Sequence, residues 1–324
     1  MRNVVQLAAS ILIGLIGYVV LFTSIVHRPM TIDSLGVYLD RKSELLKSVP
    51  GRRILVLAGS NGRFSHSCEE LERATGIPAI NLSINAEISL AYQFSRYLPL
   101  MHPGDVLYLP LEYRSRSFPK VDWVGVESNY LIYNHGWEIF HLYSPVGVLH
   151  SLFNFDIRYL ISSIGEMTLN RLGVQRRFNL GTLNKNGDEF GHTASKAAPY
   201  KFMVASIGHD GADPRVYEDV SYWQDLGKGL DAARKVGVIC VGGLPTTFDD
   251  FRNPRIAVDF LNAFYREHKA CFVVLPNQSL YPRDYFYDTN YHLQEEHQRE
   301  HTRLLAPMLG DIFRQGGCPG VSER

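Results

Sequence analysis

Residues 4–26 carry no Asp, Glu, Lys or Arg, and Gln6, Ser10, Thr23 and Ser24 are the clear polar interruptions in the run. No other stretch restricts the folding of this chain as strongly. At about 1.5 Å per residue a helix over the run reaches roughly 34 Å, against a bilayer hydrocarbon core of about 30 Å. A cleaved signal peptide would show a shorter apolar region ending at a small-x-small site. This run continues instead into Ile25-Val26-His27-Arg28-Pro29. The reading is an uncleaved single-pass anchor, residues 1–28, that enters the membrane through residues 4–26. No second run of comparable length follows, so everything beyond Pro29 is expected on one side of the bilayer. Arg2 and the α-amine flank one end of the run. Arg28, Arg41 and Lys42 follow the other, mixed with Asp33 and Asp40, so charge counting leaves both orientations open.

Setting the anchor apart also divides the charge. The chain holds 33 Lys+Arg and 33 Asp+Glu, and residues 1–28 contribute Arg2 and Arg28 with no acid. The remainder therefore has 31 basic and 33 acidic residues, a formal charge of −2. No basic face for DNA or RNA is available, and no nucleic-acid partner is expected. Cys68, Cys240, Cys271 and Cys318 lack C-x-x-C spacing, which excludes a zinc ribbon and a disulfide-dense scaffold and leaves the redox compartment open.

After a polar, helical connector (residues 29–51), short apolar segments alternate with longer amphipathic ones. Strands are expected at residues 53–58, 79–84, 106–109, 238–241 and 271–275. The first is apolar without alternation, as a strand buried on both faces would be. Helices are expected at residues 67–75, 88–100, 217–235, 255–267 and 293–305, with Gly76 and Pro78 stopping the first of them. Alternation of this kind implies an α/β fold: a doubly wound five-stranded parallel sheet with flavodoxin-like layering, over residues 52–310. The pattern breaks at about residues 113–215, read as a largely helical insertion. Its aromatics, among them Trp123, Tyr130, Trp137, Phe140, Tyr143 and Phe155, suit a core, a substrate groove or a membrane-facing surface. Residues 311–324 are expected to form a flexible tail.

In an open parallel sheet, ligands bind outside the carboxyl ends of the strands. The first strand delivers Ser60 there, within Gly59-Ser60-Asn61-Gly62, and the last is followed by Asp288-Thr289-Asn290-Tyr291-His292. A serine nucleophile needs a base to take its proton, and the base needs a partner to hold its tautomer. Ser60, His292 and Asp288 supply that inventory. The same residues also suit an ordinary strand-to-helix turn, so spacing alone leaves both readings open.

At these residues the chain resembles the SGNH/GDSL hydrolase superfamily. Leu57-Ala58-Gly59-Ser60-Asn61 looks like its first block, and residues 288–293 look like its last. The likeness extends over about residues 52–307 without the insertion. It is closest to the membrane-anchored branch associated with O-acylation or deacylation of bacterial cell-surface polysaccharides. The resemblance implies Ser60 as nucleophile, His292 as base and Asp288 as its orienter. Two departures stand out. Three residues separate Asp288 from His292 where the family has two, with Asp284 as a substitute orienter. Leu111-Glu112-Tyr113 stands where the family places an oxyanion-hole asparagine, and Asn85 is the nearest replacement.

His297-Gln298-Arg299-Glu300-His301 matches H-x-x-E-H. A catalytic zinc of that type needs a further carboxylate downstream, and Glu323 is the only glutamate after His301. No metal, nucleotide or other cofactor is expected. His66, Arg63 and Glu87 lie near the cleft and read as hydrogen-bonding or surface residues. The expectation is thus a membrane-anchored, serine-dependent O-acyltransferase or esterase. Its substrate would be a carbohydrate polymer or acyl-sugar, and its soluble domain would be periplasmic or otherwise extracytoplasmic. The alternative is a catalytically silent SGNH-like scaffold, a carbohydrate-binding component working with polysaccharide-biosynthesis partners.

Overall fold

The computed structural model describes residues 2–21, 24, 30–85, 88–112, 131, 139–153, 157–174, 182–208, 220–251 and 255–318. Glu87, Trp123, Tyr130, Trp137 and Phe155 lie outside them. The chain divides into two compact units, Met1–Tyr38 with Lys120–Leu180, and Leu39–Pro119 with Gly181–Arg324.

In the first unit, α1 (Arg2–Leu21) has 20 residues and a mean hydropathy of 2.4, with none of it buried. That length and composition suffice to cross a bilayer, as a membrane anchor or a signal sequence would. The unit also takes in the start of α2 (Met30–Ser48), together with α6 (Ile139–Leu142), α7 (Pro145–Phe153) and α8 (Ile157–Arg171).

The second unit is α/β. Its strands are β1 (Ile54–Val56), β2 (Ala79–Asn81), β3 (Val106–Leu109), β4 (Ile239–Gly243) and β6 (Cys271–Val273), all parallel in the order β2-β1-β3-β4-β6. Leu55 sits opposite Ile80 on one side and Leu107 on the other, so β1 is central and buried, as its unbroken apolar run requires. The five strands expected from sequence are those observed. A two-stranded parallel sheet, β5 (Thr247–Phe248) with β7 (Leu280–Tyr281), was not expected, because two-residue strands carry no periodicity.

Helices cover both faces. On one lie α3 (Ser60–Ser65), α4 (Cys68–Thr75) and α13 (Glu295–Gln315), whose Cys68, Leu71, Leu305 and Leu309 pack on Ile54, Val56, Val106 and Tyr108. On the other lie α5 (Leu90–Tyr97), α11 (Val220–Lys235) and α12 (Arg255–Glu267). The short helices α9 (Ala194–Ala197) and α10 (Lys201–Ser206) precede α11. Ser67 caps α4 by accepting Glu70 N, and Gly76 ends it in the left-handed conformation at φ 71°.

Three expected boundaries move. The connector does not stop short of the domain: α2 docks into it through Lys42, fully buried, which donates to Asn81 O at 2.7 Å and to Gly187 O. The insertion ends earlier than residue 215. Asn186 O accepts Asn81 N at 2.9 Å at the sheet edge, and Asp188 accepts Cys68 N and Glu69 N at the start of α4. The chain is not a loose tail from residue 311, because α13 runs to Gln315 with Ile312 buried and Cys318 is disulfide-bonded to Cys271 of β6. Apolar periodicity marks a buried helix face, and the pairing of two distant cysteines leaves no local trace, so sequence ended the helix ten residues early.

Beneath the sheet's amino edge, Arg53 and Asp105 are both wholly buried, paired at 2.7 Å. Arg53 also donates to Leu46 O and Val49 O, so it closes the last turn of α2 and fixes that helix against β1.

Candidate active site at the switch in strand order

β1 has β2 on one side and β3 on the other, so the order of connection reverses between β1 and β3, where such sheets open a crevice at their carboxyl ends. Ser60 follows β1, Glu112 follows β3, Thr246 follows β4, and the loop bearing Asp288 and His292 comes after β7.

The serine sits where α3 begins, not in an isolated turn. Gly59-Ser60-Asn61-Gly62 reads as a turn from composition, yet α3 forms because tertiary contacts hold it. Gly62 packs against β2's exit so closely that a Cβ there would lie 2.1 Å from Ser83 Oγ. Asn81 Nδ2 donates to Gly62 O and His66 O, and Ser83 Oγ accepts Ala58 N. The helix therefore cannot slide relative to β1 and β2.

The loop over residues 286–293 is closed at its neck by an antiparallel bridge between Phe286 and Leu293 and by Tyr287 N donating to His292 O at 2.7 Å. Closure brings Asp288 Oδ1 to 2.6 Å from His292 Nδ1 across the three intervening residues. The three-residue spacing is thus accommodated by a hairpin-like neck, and Asp288, not Asp284, meets the imidazole. The loop is clamped onto α3: Asn61 Nδ2 and Ser65 Oγ both donate to Tyr291 O, and Leu293 N donates back to Ser65 Oγ. Thr246 joins the clamp by accepting Asn61 Nδ2 and donating to Ser65 Oγ.

These bonds set the imidazole of His292 over Phe64, stacked with ring centroids 4.4 Å apart. Phe64 lies one turn beyond Ser60, so the two share a face of α3. The structure thus brings Asp288 and His292 into contact and stacks His292 on Phe64, one turn of α3 beyond Ser60. Ser60 is half-exposed, and its hydroxyl makes no hydrogen bond among the described residues.

Glu112 is the site residue that sequence reading passed over as a mismatch. Its carboxylate accepts Asn61 N at 2.7 Å and Gly59 N at 3.2 Å, the amides on either side of Ser60. Burial pushes its carboxyl up from the ordinary range, opposed by those amides and by the nearby His292. Asn85 lies in the loop after β2 with its carbonyl accepting Ile88 N at 3.2 Å, and the group that meets the amides at the α3 entrance is Glu112.

An aromatic rim surrounds His292. Tyr287 stacks with Phe64 at 6.4 Å and meets Tyr200 at 5.5 Å. His192, 3% exposed, packs edge-on to Phe64 at 5.4 Å, and neither of its ring nitrogens is hydrogen-bonded among the described residues. Burial holds its pKa down to about 4, so its imidazole is neutral. Nothing in the sequence around His192 singles it out, since its contact with Phe64 spans 128 residues.

The histidines of H-x-x-E-H part company. His297 pairs with Glu300 at 2.8 Å and stacks on Tyr285, whereas His301 is wholly buried between Tyr281 Oη at 2.9 Å and His66 Nε2 at 3.1 Å. Among the described residues no three His, Cys, Asp or Glu side chains are grouped as metal ligands. Arg63 is engaged by Glu189 at 2.6 Å.

No protein-family model, curated protein or solved structure matches the chain. Any functional reading rests on the geometry above.

Proposed function

We propose that the chain is a membrane-anchored serine-dependent acyl-transfer enzyme of SGNH-like layering, an O-acyltransferase or esterase. It would act on an ester of a cell-surface or exported polysaccharide or acyl-sugar. The observation that carries this is the 2.6 Å pairing of Asp288 with His292, whose ring stacks on Phe64, one turn of α3 beyond Ser60. Asp288 accepts Nδ1–H, which leaves Nε2 of the neutral imidazole as the base. Ser60 Oγ attacks the ester carbonyl as its proton passes to His292 Nε2. The tetrahedral adduct then expels the alcohol, which takes that proton from His292, and an acyl-serine remains. A second hydroxyl, from water in an esterase or from a sugar in a transferase, gives its proton to His292, takes the acyl group and restores Ser60. The half-exposed Tyr287 and the exposed Tyr200 offer apolar ring faces beside His292 that suit a sugar ring.

The Cys271–Cys318 disulfide supports an extracytoplasmic location for the α/β unit, since such bonds persist in oxidising compartments. With α1 as the anchor, Arg2 then stays on the cytoplasmic side.

Glu112 favours a second reading. A carboxylate that occupies the amides flanking Ser60 fills the place where an oxyanion would be received, as a catalytically silent scaffold would tolerate. Turnover of p-nitrophenyl acetate by the full chain in detergent separates the two. The enzyme reading expects turnover that falls roughly 10³-fold or more in Ser60→Ala and in His292→Ala. Turnover by Ser60→Ala at the wild-type rate refutes the serine mechanism. Absence of wild-type turnover above the solvent rate favours the scaffold.

A further inference from the structure

Part of α7 and α8 turns apolar side chains outward and a serine inward. In a water-soluble helix the apolar stripe faces the interior and small polar residues face solvent. In α8, Ile157, Ile161 and Ile164 follow one another at i, i+4 and i+7 and are 66%, 62% and 46% exposed, while Ser163 is 1% exposed. The buried Ser163 hydroxyl has no hydrogen-bond partner among the described residues. The adjacent α7 repeats the pattern. Val146 and Leu149, at i and i+3, are 61% and 57% exposed, whereas Ser151 is buried with its hydroxyl turned onto Gly147 O at 2.9 Å. Phe140 of α6 and Leu172 just past α8 are exposed as well. From residue 139 to residue 174 the sequence has four charged side chains, two acidic and two basic, and none of them lies in α6 or α7.

We propose that α7 and α8 lie on the bilayer, with the stripe of Val146, Leu149, Ile157, Ile161 and Ile164 immersed among the lipid acyl chains. Two observations choose lipid over a protein partner. These helices share a compact unit with α1, whose side chains are exposed on every side at a mean hydropathy of 2.4. The stripe residues are branched aliphatics, and of the polar side chains described beside them Ser162 is exposed while the exposed Thr168 turns its hydroxyl back onto Ile164 O at 2.8 Å, as suits a medium that needs shape from no partner and offers no hydrogen bonds. A protein-binding patch of this size ordinarily carries a polar rim and aromatic or Arg anchors. The inference rests on α1 being a membrane anchor and adds that the chain grips the membrane over a second surface.

Nitroxide labels on the full chain in phosphatidylcholine/phosphatidylglycerol vesicles test it. The native thiols do not compete, because Cys68 and Cys240 are buried with thiol pKa values pushed up and the other two cysteines are disulfide-bonded. Single labels go at Leu149→Cys, Ile157→Cys and Ile161→Cys. Ile13→Cys in α1 and Lys228→Cys on exposed α11 serve as lipid and water references. The expected result is that the three stripe labels collide with oxygen more than with a water-soluble nickel chelate, as Ile13→Cys does and Lys228→Cys does not. Stripe labels that behave like Lys228→Cys while Ile13→Cys reports lipid overturn the inference and leave the anchor intact. An Ile13→Cys label in water overturns both. Spin–spin broadening at the stripe that disappears on dilution with unlabelled protein shows a second copy covering it, and also overturns the inference.

Discussion

Acid should unfold the α/β unit sooner than its charge balance suggests, because its interior holds histidines as neutral rings. His66 and His301 are wholly buried against each other, and His192 is buried beside Phe64. Burial holds His66 down at about 3 and His192 at about 4, against an ordinary 6.5, and burial together with the neighbouring His66 also lowers His301. Above pH 6.5 these rings are neutral in both the folded and unfolded chain, so the full stability is present there. As pH falls below 6.5 the unfolded chain takes up protons that the folded chain refuses, and stability is lost until the folded-state values are reached. Each refused proton costs about 1.4 kcal/mol per pH unit. From pH 6.5 to 4.5, His66 and His192 alone remove about 5 kcal/mol, a large share of the roughly 5–15 kcal/mol that holds a typical domain together. The assay is urea unfolding of the full chain in detergent, followed by near-ultraviolet circular dichroism at half-unit steps of pH. His66→Gln keeps a group able to donate to His301 and removes one titration, so the slope below pH 6 should fall by about one proton. A wild-type stability that is flat between pH 6.5 and 4.5 refutes the reasoning. So does a His66→Gln slope equal to the wild type's.

Three further outcomes follow from single contacts. Asp105→Ala leaves the wholly buried Arg53 guanidinium unpaired and should cost about 3–5 kcal/mol in urea unfolding, where Glu44→Ala, on an exposed pair, changes little. Gly62→Ala drives a methyl into Ser83 and should destabilise by about 1–3 kcal/mol in urea unfolding. The Cys271–Cys318 bond closes 47 residues, for which loop entropy gives about 4 kcal/mol, so Cys318→Ser should lower the urea midpoint accordingly. Thiol counting on the unfolded, non-reduced wild-type chain should then find two thiols and not four.

Much of the sheet is legible in the sequence, because apolar strands buried on both faces leave continuous runs and a helix such as α12 repeats its buried residues, Ala257, Leu261 and Tyr265, every four positions. β3 and α12 fall on the expected residues for that reason. What escaped depends on distant contacts. α3 was hidden by Gly59, Ser60, Asn61 and Gly62, which read locally as a turn and become helical once Ser83 and Tyr291 hold them. The pair Asp288 and His292 was readable from residue type, but the closed neck that lets them meet at unusual spacing was not. Glu112 was visible as a departure from a family pattern. Its role emerged from three dimensions, where it lies against amides fifty residues away. The insertion's residues suit a core, a groove or a membrane-facing surface alike, since composition does not say which side of a helix faces out. The buried serines of α7 and α8 give that side away.

Labelling the full chain with a fluorophosphonate and locating the adduct by peptide mass spectrometry tests the central claim most directly. An activated serine predicts a single adduct on the peptide containing Ser60, lost when the chain is unfolded before labelling and strongly reduced in His292→Ala. A folded wild-type chain that takes up no probe, or that carries it on another serine with Ser60 unmodified, contradicts the account.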